Sequence, residues 1–390
     1  MTPWYLPHLG GLERHVEALS SGIKAFDSVI LTPRMPGTAA VESPAPNVRI
    51  HRFGPTKFPD ATPSGAFGRY REWVPRFERL WNLRGLLRDT RFDVLHVHRP
   101  PIMELAYLAA KWGTVGALRP LARRFNRLRV RNVPRVFTDH GFFVHPYPIS
   151  GLNMAWFMEW ALTEFQHVIC VERAGFSRAT EMQRRDPSAF SAQVQYIPQP
   201  IDTDLFRPAP PPDSGDLIVG YTGRWERDGM SLLAQMAEVR TPGVQFLVSG
   251  GATEKDLARY GPGFQRAGVR ILPNIQDMNR LSEFYRGIHV IVDFYRGDGT
   301  GRSVLEAMAS GRPAIRIRSR DTHPVVDGET GILVDSDVES ISSVLRELVG
   351  RREEVAEMGR RARSIVEQEY GFGTVLSKVE QVYRTCLSTS

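Results

Sequence analysis

Residues 289 to 315 read HVIVDFYRGDGTGRSVLEAMASGRPAI, and this stretch decides the fold. It joins an apolar β-rich run, a loop with glycines at positions 297, 299 and 301, and a helical pattern that begins just beyond them. Glycines let the backbone approach a ligand closely, and a helix N-terminus favours negatively charged groups. The stretch therefore predicts a buried strand, a ligand-binding turn and a helix, as in an α/β protein.

The same alternation of short apolar runs with helical patterns extends along the rest of the chain. The runs are DSVILT, NVRIHRF, FDVLHVH, RVFTDH, HVICV and VQYIP before residue 212, and DLIVGYTG, VQFLVSGG, GVRILP, RPAIRI and GILV after it. Runs separated by helices predict parallel sheets that are covered on both faces. Residues 207–215, RPAPPPDSG, have the composition of an interdomain linker. We therefore predict two doubly wound, Rossmann-like α/β domains, because 390 residues exceed one ordinary core.

The overall composition excludes several classes of protein. Apolar residues make up 42% of the chain and charged residues 24%, as in soluble globular proteins. No apolar run is long enough to span a bilayer and the start lacks a secretory signal pattern, so we predict a cytoplasmic protein. The two cysteines, Cys170 and Cys386, are too few and too far apart for a disulfide framework or a zinc site. We expect both thiols to be buried and inert.

The charge is unevenly distributed between the two halves of the chain. Residues 1–200 carry a net charge of +10 and residues 201–390 carry −3, which together give the +7 of the whole chain. Much of the excess lies in residues 118–135, LRPLARRFNRLRVRNVPR. A solvated helix face, an anionic acceptor and an anionic membrane surface are all consistent with this stretch, and nucleic acid is the least favoured partner.

Asp298 and Glu306 lie eight positions apart, the first on the glycine-rich loop and the second one turn into the following helix. Two carboxylates at this separation can accept hydrogen bonds from different hydroxyl groups of one elongated polar ligand. The alternative is that both are ordinary partners of a helix N-terminus, which favours acidic residues. The spacing alone leaves both interpretations open.

Seven motifs, in order along the chain, resemble those of retaining glycosyltransferases of the GT-B fold, family 4. YRGDGTGRSVLEAMASGRPAI resembles the E-x7-E signature of that family. The other six are PHLGGLERHV (7–16), DVLHVH (93–98), VFTDHG (136–141), IPQPIDTDLFRP (197–208), GYTGRWERDG (220–229) and VVDGETGILV (325–334). The resemblance implies two Rossmann-like domains facing a cleft, with residues 1–206 binding the acceptor and residues 207–371 the nucleotide sugar. Residues 372–390 are expected to form a helix that crosses back to the first domain.

The resemblance assigns roles to the signature residues. Glu306 occupies the position of the glutamate that binds the ribose hydroxyls of the nucleotide. Asp298 replaces the other glutamate and, with the following Gly299, Thr300 and Gly301, is expected to hold hydroxyls of the donor sugar. Because aspartate is one methylene shorter, and because Thr300 replaces a usual aromatic residue, the selected sugar is expected to differ from that of Glu-bearing relatives.

Basic residues of the motif GYTGRWERDG are expected to bind the donor diphosphate. Arg224 matches the family's diphosphate-binding arginine. The lysine that usually follows is absent, and we favour Arg227 as its replacement because phosphate neutralisation stabilises the leaving group. The alternative is a surface arginine paired with Glu226 or Asp228.

The first domain is expected to contribute a histidine and two glycines. His140 matches the family histidine that meets the donor sugar near the reacting centre, and Gly10 and Gly11 match backbone donors to the diphosphate. We interpret His96 and His98 as mainly structural, on the premise that their strand positions allow at most one to face the cleft.

The implied reaction retains the anomeric configuration of the transferred hexose, and the departing diphosphate helps to deprotonate the acceptor. It requires a nucleotide-diphosphate sugar as co-substrate and no cofactor, metal or protein nucleophile. The acceptor is expected to be a glycan, a glycolipid or a small molecule, and the basic first domain suggests peripheral contact with an anionic membrane. A nucleotide-sugar epimerase on the same scaffold and a non-catalytic or divergent sugar-nucleotide-binding protein remain as alternatives, whereas the scarcity of lysine argues against a pyridoxal-phosphate-dependent phosphorylase.

Family members usually carry a short central strand just before the PHLGGLERHV turn, and Met1 falls where that strand should end. Loss of a central strand would expose two ladder edges. We therefore expect the natural chain to begin upstream of Met1, or the protein to be destabilised.

Overall fold

The computed structural model describes residues 1–2, 5–6, 10–54, 81–83, 85–98, 133–141, 159, 161–223, 225 and 229–388. Its contacts divide the chain into two compact units. The N-terminal unit comprises Met1–Pro198 and Leu376–Ser390, and the C-terminal unit comprises Gln199–Val375. Each unit contains the parallel strands and covering helices that the alternating apolar runs predict.

The N-terminal unit has two sheets among its described residues. The strands are β1 (Ser28–Pro33), β2 (Val41–Ala45), β3 (Val48–Phe53), β4 (Leu95–Val97), β5 (Arg135–Asp139), β6 (His167–Cys170) and β7 (Gln193–Tyr196), and the helices are α1 (Gly11–Gly22) and α2 (Arg173–Arg185). One sheet has the order β1-β3-β2 and the other has the order β4-β5-β6-β7, in which every pair is parallel. The antiparallel pairing of β2 with β3 was not predicted. β2 is a mostly exposed edge strand that contains a proline, so it lacks the apolar run on which the prediction relied.

Met1 and Thr2 lie between these two sheets. The nitrogen of Met1 donates to the carbonyl oxygen of His96 at 2.6 Å, and its oxygen accepts from the amide of His98 at 3.0 Å. On the other side, the amide of Thr2 donates to the carbonyl oxygen of Leu31 on β1 at 3.1 Å. Their backbone thus pairs with β4 and β1 at the place where the family resemblance predicts a central strand.

The C-terminal unit is built on one sheet of six parallel strands. The strands are β8 (Leu217–Thr222), β9 (Val244–Ser249), β10 (Arg270–Ile271), β11 (Val290–Asp293), β12 (Ala314–Ile317) and β13 (Gly331–Val334), in the order β10-β9-β8-β11-β12-β13. The helices are α3 (Gly229–Val239), α4 (Glu254–Arg266), α5 (Met278–Arg286), α6 (Arg302–Ala309), α7 (Val338–Val349) and α8 (Arg352–Tyr370). The last helix, α9 (Phe372–Ser388), begins in this unit and belongs to the N-terminal unit from Leu376 onward.

Two buried clusters cover the faces of the six-stranded sheet. Leu233 of α3, Phe264 of α4 and Leu345 of α7 belong to one cluster, and Tyr285 of α5 and Met308 of α6 belong to the other. Burying one large apolar side chain contributes about 1.5–3 kcal/mol to stability. The two clusters therefore hold the strand ends and their loops on a rigid base.

The strand order reverses between β8 and β11. From β8 the chain proceeds outward to β9 and β10, and from β11 it proceeds in the opposite direction to β12 and β13. In doubly wound sheets, ligands bind outside the carboxyl ends of the strands at such a reversal. In the sequence, the motifs GYTGRWERDG and YRGDGTG continue from the ends of β8 and β11, the two strands between which the order reverses.

Both cysteines are free and buried, as predicted. Burial raises the pKa of the Cys386 thiol to about 11 and that of Cys170 well above its usual value.

Within the described part of the chain, no helix combines the length and the apolar character needed to cross a membrane.

Candidate functional site

The stretch that decides the fold forms the predicted strand, loop and helix. β11 ends at Asp293 and α6 begins at Arg302, with Gly301 as its N-cap residue. We call residues 294–301 the signature loop. Gly299 has a φ of 86°, in the left-handed region that favours glycine, so a glycine is required at this position.

Asp298 fastens the signature loop to the segment that follows β12. Its Oδ1 accepts hydrogen bonds from the amides of Arg320 at 2.9 Å and Asp321 at 3.2 Å. In the reverse direction, the amide of Gly299 donates to the carbonyl oxygen of Asp321 at 3.1 Å. These bonds use one of the two carboxylate oxygens of Asp298, and its side chain is only partly buried.

The hydroxyl of Thr300 forms hydrogen bonds to other residues of the protein. Its hydroxyl accepts from Nη1 of Arg316 at 2.5 Å and donates to the carbonyl oxygen of His323 at 2.8 Å. The threonine that replaces the family's usual aromatic residue is thus part of an internal hydrogen-bond network. Arg316 was not predicted to belong to the site, although an arginine between two isoleucines in a strand pattern was a usable signal.

Glu306 lies one turn into α6, as predicted, and is only 2% exposed. Its Oε1 is 2.9 Å from Nε of Arg302, and its Oε2 accepts from the hydroxyl of Tyr285 at 3.0 Å. A buried carboxylate needs such partners because desolvation of an unpaired charge is costly. A carboxylate oxygen has two lone pairs and can accept more than one hydrogen bond.

The start of α3 lies next to the signature loop. α3 begins at Gly229, where a Cβ atom would lie 3.1 Å from the Cβ of Phe294, the first residue of the signature loop. Trp225, between β8 and α3, is buried. The predicted diphosphate-binding residues Arg224 and Arg227 lie outside the described residues.

The backbone of Gly250 lies in close contact with that of Gly223, at the end of β8. Its φ is 146°, and an added Cβ would overlap the carbonyl oxygen of Gly223 at the end of β8. Replacing Gly250 with alanine is expected to lower the free energy of unfolding by about 2–4 kcal/mol, because backbone must move. As a control, Gly263→Ala in α4 meets only ordinary contacts and should be neutral or stabilising by up to about 1 kcal/mol. Urea denaturation measures both, and equal stabilities for the two variants would contradict the prediction.

In the N-terminal unit, the predicted double-glycine turn leads into α1. Gly10 is the N-cap residue and Gly11 is the first helical residue. The carboxylate of Glu13 packs against Gly10 so closely that a Cβ atom there would collide with it. Gly10 is extended with a φ of −151°, and the Glu13 oxygen is the end of a flexible side chain, so neither the backbone conformation nor a rigid neighbour requires glycine at this position.

Three histidines of this unit form a cluster. His15 lies on α1, His98 follows β4 and His140 follows β5, and one ring nitrogen from each lies within 4.8 Å of those from the other two. Nδ1 of His98 is 3.1 Å from Nε2 of His140, which is a hydrogen bond between the rings. Burial lowers the pKa of His140 to about 3, and burial followed by neighbouring histidines lowers that of His98 well below its usual value. The rings of His98 and His140 are therefore neutral near pH 7.

The spacing of this cluster would let three imidazoles share a metal ion, but two of the rings are already hydrogen-bonded to each other. Of the two nitrogens in this bond, Nδ1 of His98 and Nε2 of His140, one carries the proton and donates, and the other accepts, so they do not both offer a lone pair to a metal. His98 and His140 are therefore described best as a hydrogen-bonded pair of neutral rings, and the ring of His15 lies edge-on to both.

His96 is structural, as expected, but the premise for that prediction was wrong. Its Nδ1 is 2.6 Å from the hydroxyl of Tyr383 on α9, and its Nε2 is 2.7 Å from the hydroxyl of Thr138. The rings of His96 and His98 have centroids only 4.1 Å apart. Residues two apart in a strand lie on the same face, so the alternation does not send them in opposite directions.

Comparisons with known proteins identify the family. The model for Glycosyltransferase Family 4 matches residues 9–205, and the model for glycosyl transferases group 1 matches residues 216–351. The trehalose synthase of Pyrococcus horikoshii is 31% identical over 144 residues, which are 34% of each chain. A phosphatidyl-myo-inositol mannosyltransferase of Mycobacterium leprae is 25% identical over 326 residues, which cover 78% of this chain and 76% of that protein.

A solved structure with the same fold is the sucrose-phosphate synthase from Thermosynechococcus elongatus. It has a TM-score of 0.72 and 20% sequence identity, and the match covers 100% of this chain and 96% of that one. Together with the family models, this likeness supports the fold that the motifs predict. The chain belongs to glycosyltransferase family 4, has the GT-B fold and is a glycosyltransferase that uses a nucleotide-sugar donor.

Proposed function

We propose that this protein transfers a hexose from a nucleotide-diphosphate sugar to an acceptor and retains the anomeric configuration. The observation that carries the proposal is the signature loop at the strand-order reversal, with Asp298 on the loop and Glu306 on the helix that follows. Membership of family 4 supports the retaining mode.

Glu306 is proposed to bind the ribose hydroxyls. Arg302 and Tyr285 contact both oxygens of its carboxylate and hold it in one orientation. An ionised carboxylate makes shorter and stronger hydrogen bonds to vicinal hydroxyls than a neutral group does. This arrangement would place the nucleotide across the start of α6.

The donor sugar and its diphosphate are assigned to the loops around this position. Asp298 and the backbone of Gly299, Thr300 and Gly301 are proposed to hold the sugar hydroxyls. Cations and helix N-termini are proposed to stabilise the departing diphosphate. Such preorganised groups act most strongly on the negative charge that develops on a leaving group.

The basic residues and the N-terminal backbone groups proposed to bind the diphosphate are assigned from the family resemblance. Arg224 and Arg227 are proposed to bind the diphosphate, with Gly10 and Gly11 as additional backbone donors. His140 is proposed to contact the donor sugar as a neutral imidazole. In this scheme the leaving diphosphate accepts the acceptor proton, so no protein nucleophile and no metal ion is required.

The acceptor is proposed to be a glycan or glycolipid at an anionic membrane surface. Two observations support this: the N-terminal half carries a net charge of +10, and a relative that the chain matches over 326 residues is a mannosyltransferase that acts on phosphatidyl-myo-inositol. Residues 118–132 of the basic stretch lie outside the described residues. Purified protein should bind vesicles containing phosphatidylinositol more tightly at low salt than at high salt, and absence of binding at low salt would contradict the membrane proposal.

A panel of nucleotide sugars tests the reaction. Purified protein is incubated with GDP-, UDP- and ADP-hexoses, with and without EDTA, and nucleoside diphosphate release is measured. We expect release from one class of donor, unchanged by EDTA, and NMR of the sugar product should show the anomeric configuration of the donor. Binding without release from any donor would favour a non-catalytic sugar-nucleotide-binding protein. An epimerised nucleotide sugar would favour an epimerase, and an inverted product would contradict the retaining mode.

A further inference from the structure

Arg316 is a fully buried arginine directly behind the signature loop. Its side chain, on β12, has 0% exposure, and it is the register partner of Asp293 at the end of β11. The nearest approach of the two charges is 3.6 Å, from Nε of Arg316 to Oδ2 of Asp293. A buried guanidinium is stable only if its remaining donors are also satisfied.

Three hydrogen bonds join the guanidinium of Arg316 to the signature loop. Nη2 donates to the carbonyl oxygens of Gly297, at 2.9 Å, and of Gly299, and Nη1 donates to the hydroxyl of Thr300 at 2.5 Å. The planar guanidinium presents its donors in a fixed fork, so these three acceptors are held in a fixed relative geometry.

Peptide geometry converts these contacts into an orientation for the loop amides. The carbonyl of Gly297 and the N–H of Asp298 belong to one planar trans peptide and point in opposite directions, and the same holds for the carbonyl of Gly299 and the N–H of Thr300. Both N–H groups therefore point away from Arg316. The N–H of Gly299 between them is directed elsewhere, to the carbonyl oxygen of Asp321 at 3.1 Å.

We propose that Arg316 is a positioning residue that turns the N–H groups of Asp298 and Thr300 toward the donor sugar. The inference rests on the proposed function, which places the donor sugar on the signature loop. Two N–H groups aimed to one side suit the hydroxyl oxygens of a hexose, and similar concave arrangements of amides bind oxygen ligands elsewhere in proteins. Arg316 acts through the loop and does not itself contact the substrate.

The test compares Arg316 with a matched buried arginine. Arg312 is also buried, and it donates to four backbone carbonyl oxygens, those of Tyr285, Arg286, Ala209 and Pro210, none of which belongs to the signature loop. Arg316→Met and Arg312→Met should both lower the melting temperature. Below both melting temperatures, Arg316→Met should lower kcat/KM for the nucleotide sugar by 10- to 100-fold, and Arg312→Met by less than threefold. Equal losses in the two variants, or none in Arg316→Met, would overturn the proposal.

Two further measurements separate this role from the proposed function and from misfolding. The dissociation constant of the free nucleoside diphosphate should change less than twofold in Arg316→Met, because that ligand lacks the sugar, and Arg316→Lys should recover part of the lost kcat/KM. In the wild-type protein, binding of nucleotide sugar should slow hydrogen exchange at the amides of Asp298 and Thr300 more than the nucleoside diphosphate does. If sugar transfer occurs but these amides exchange equally with both ligands, the positioning role is wrong and the proposed function stands.

Discussion

Replacing Glu306 with glutamine is expected to weaken nucleoside diphosphate binding at least 100-fold and to lower kcat/KM by a similar factor. A charge-assisted hydrogen bond is worth about 1.5–3 kcal/mol, and the variant weakens two of them to the ribose. Glutamine has nearly the same shape: its amide oxygen can accept from Arg302, and its NH2 group can donate to the hydroxyl oxygen of Tyr285, so the fold should persist. Isothermal titration calorimetry at a temperature where both proteins are folded measures the loss.

A ligand lacking one hydroxyl supplies the control for this prediction. The wild-type protein should bind the 2′-deoxy nucleoside diphosphate at least tenfold more weakly than the ribose form, whereas Glu306→Gln should barely distinguish the two. The variant is also expected to lose about 1–3 kcal/mol of stability, since Arg302 loses its charged partner. A variant that is less stable but still discriminates between the two ligands would assign Glu306 a purely structural role.

Acidification is expected to destabilise the protein steeply below pH 6.5. The pKa of His140 is lowered to about 3 and that of His289 to about 4, chiefly by burial, and the pKa values of His96 and His98 are also lowered well below 6.5. Because the unfolded chain binds these protons more readily, the stability is fully present above about pH 7 and is lost as the pH falls from 6.5 toward 4. Each such histidine contributes a slope of up to about 1.4 kcal/mol per pH unit.

Urea denaturation at pH 7.5, 6.5 and 5.5 measures this dependence. With four such histidines, the free energy of unfolding should fall by about 3–5 kcal/mol between pH 6.5 and 5.5. His98→Asn should have a shallower slope, because one fewer proton is taken up on unfolding. Stability that is flat across this range would show that the imidazoles are not held neutral.

Much of the fold could be predicted from the sequence, because its strands and turns are marked by the residues within them. Runs such as VQFLVSGG and HVIVDF carry their strand character in their own residues, and the turn at 297–301 is marked by its glycines. β2 was not predicted because its sequence, VESPA, is polar and its pairing with β3 depends on the neighbouring strand.

Only part of the candidate site could be predicted from the sequence, because some of its contacts join residues that are distant along the chain. The signature identified Asp298 and Glu306, but not Tyr285, which contacts Glu306 from another helix. Arg316 is likewise joined to the signature loop only by folding, since β12 is adjacent to β11 in the sheet. Side-chain partners that are distant in sequence depend on strand order and register, and a single sequence does not specify these.

The most direct test of the central claim is the binding of nucleoside diphosphates to the wild-type protein. GDP, UDP and ADP are each added at rising concentration and the melting temperature is recorded, because a ligand that binds only the folded state raises stability with the logarithm of its concentration. We predict that one of the three raises the melting temperature progressively and that Glu306→Gln abolishes the shift. No shift with any of them, confirmed by the absence of heat in calorimetry, would contradict a nucleotide-sugar site on the signature loop.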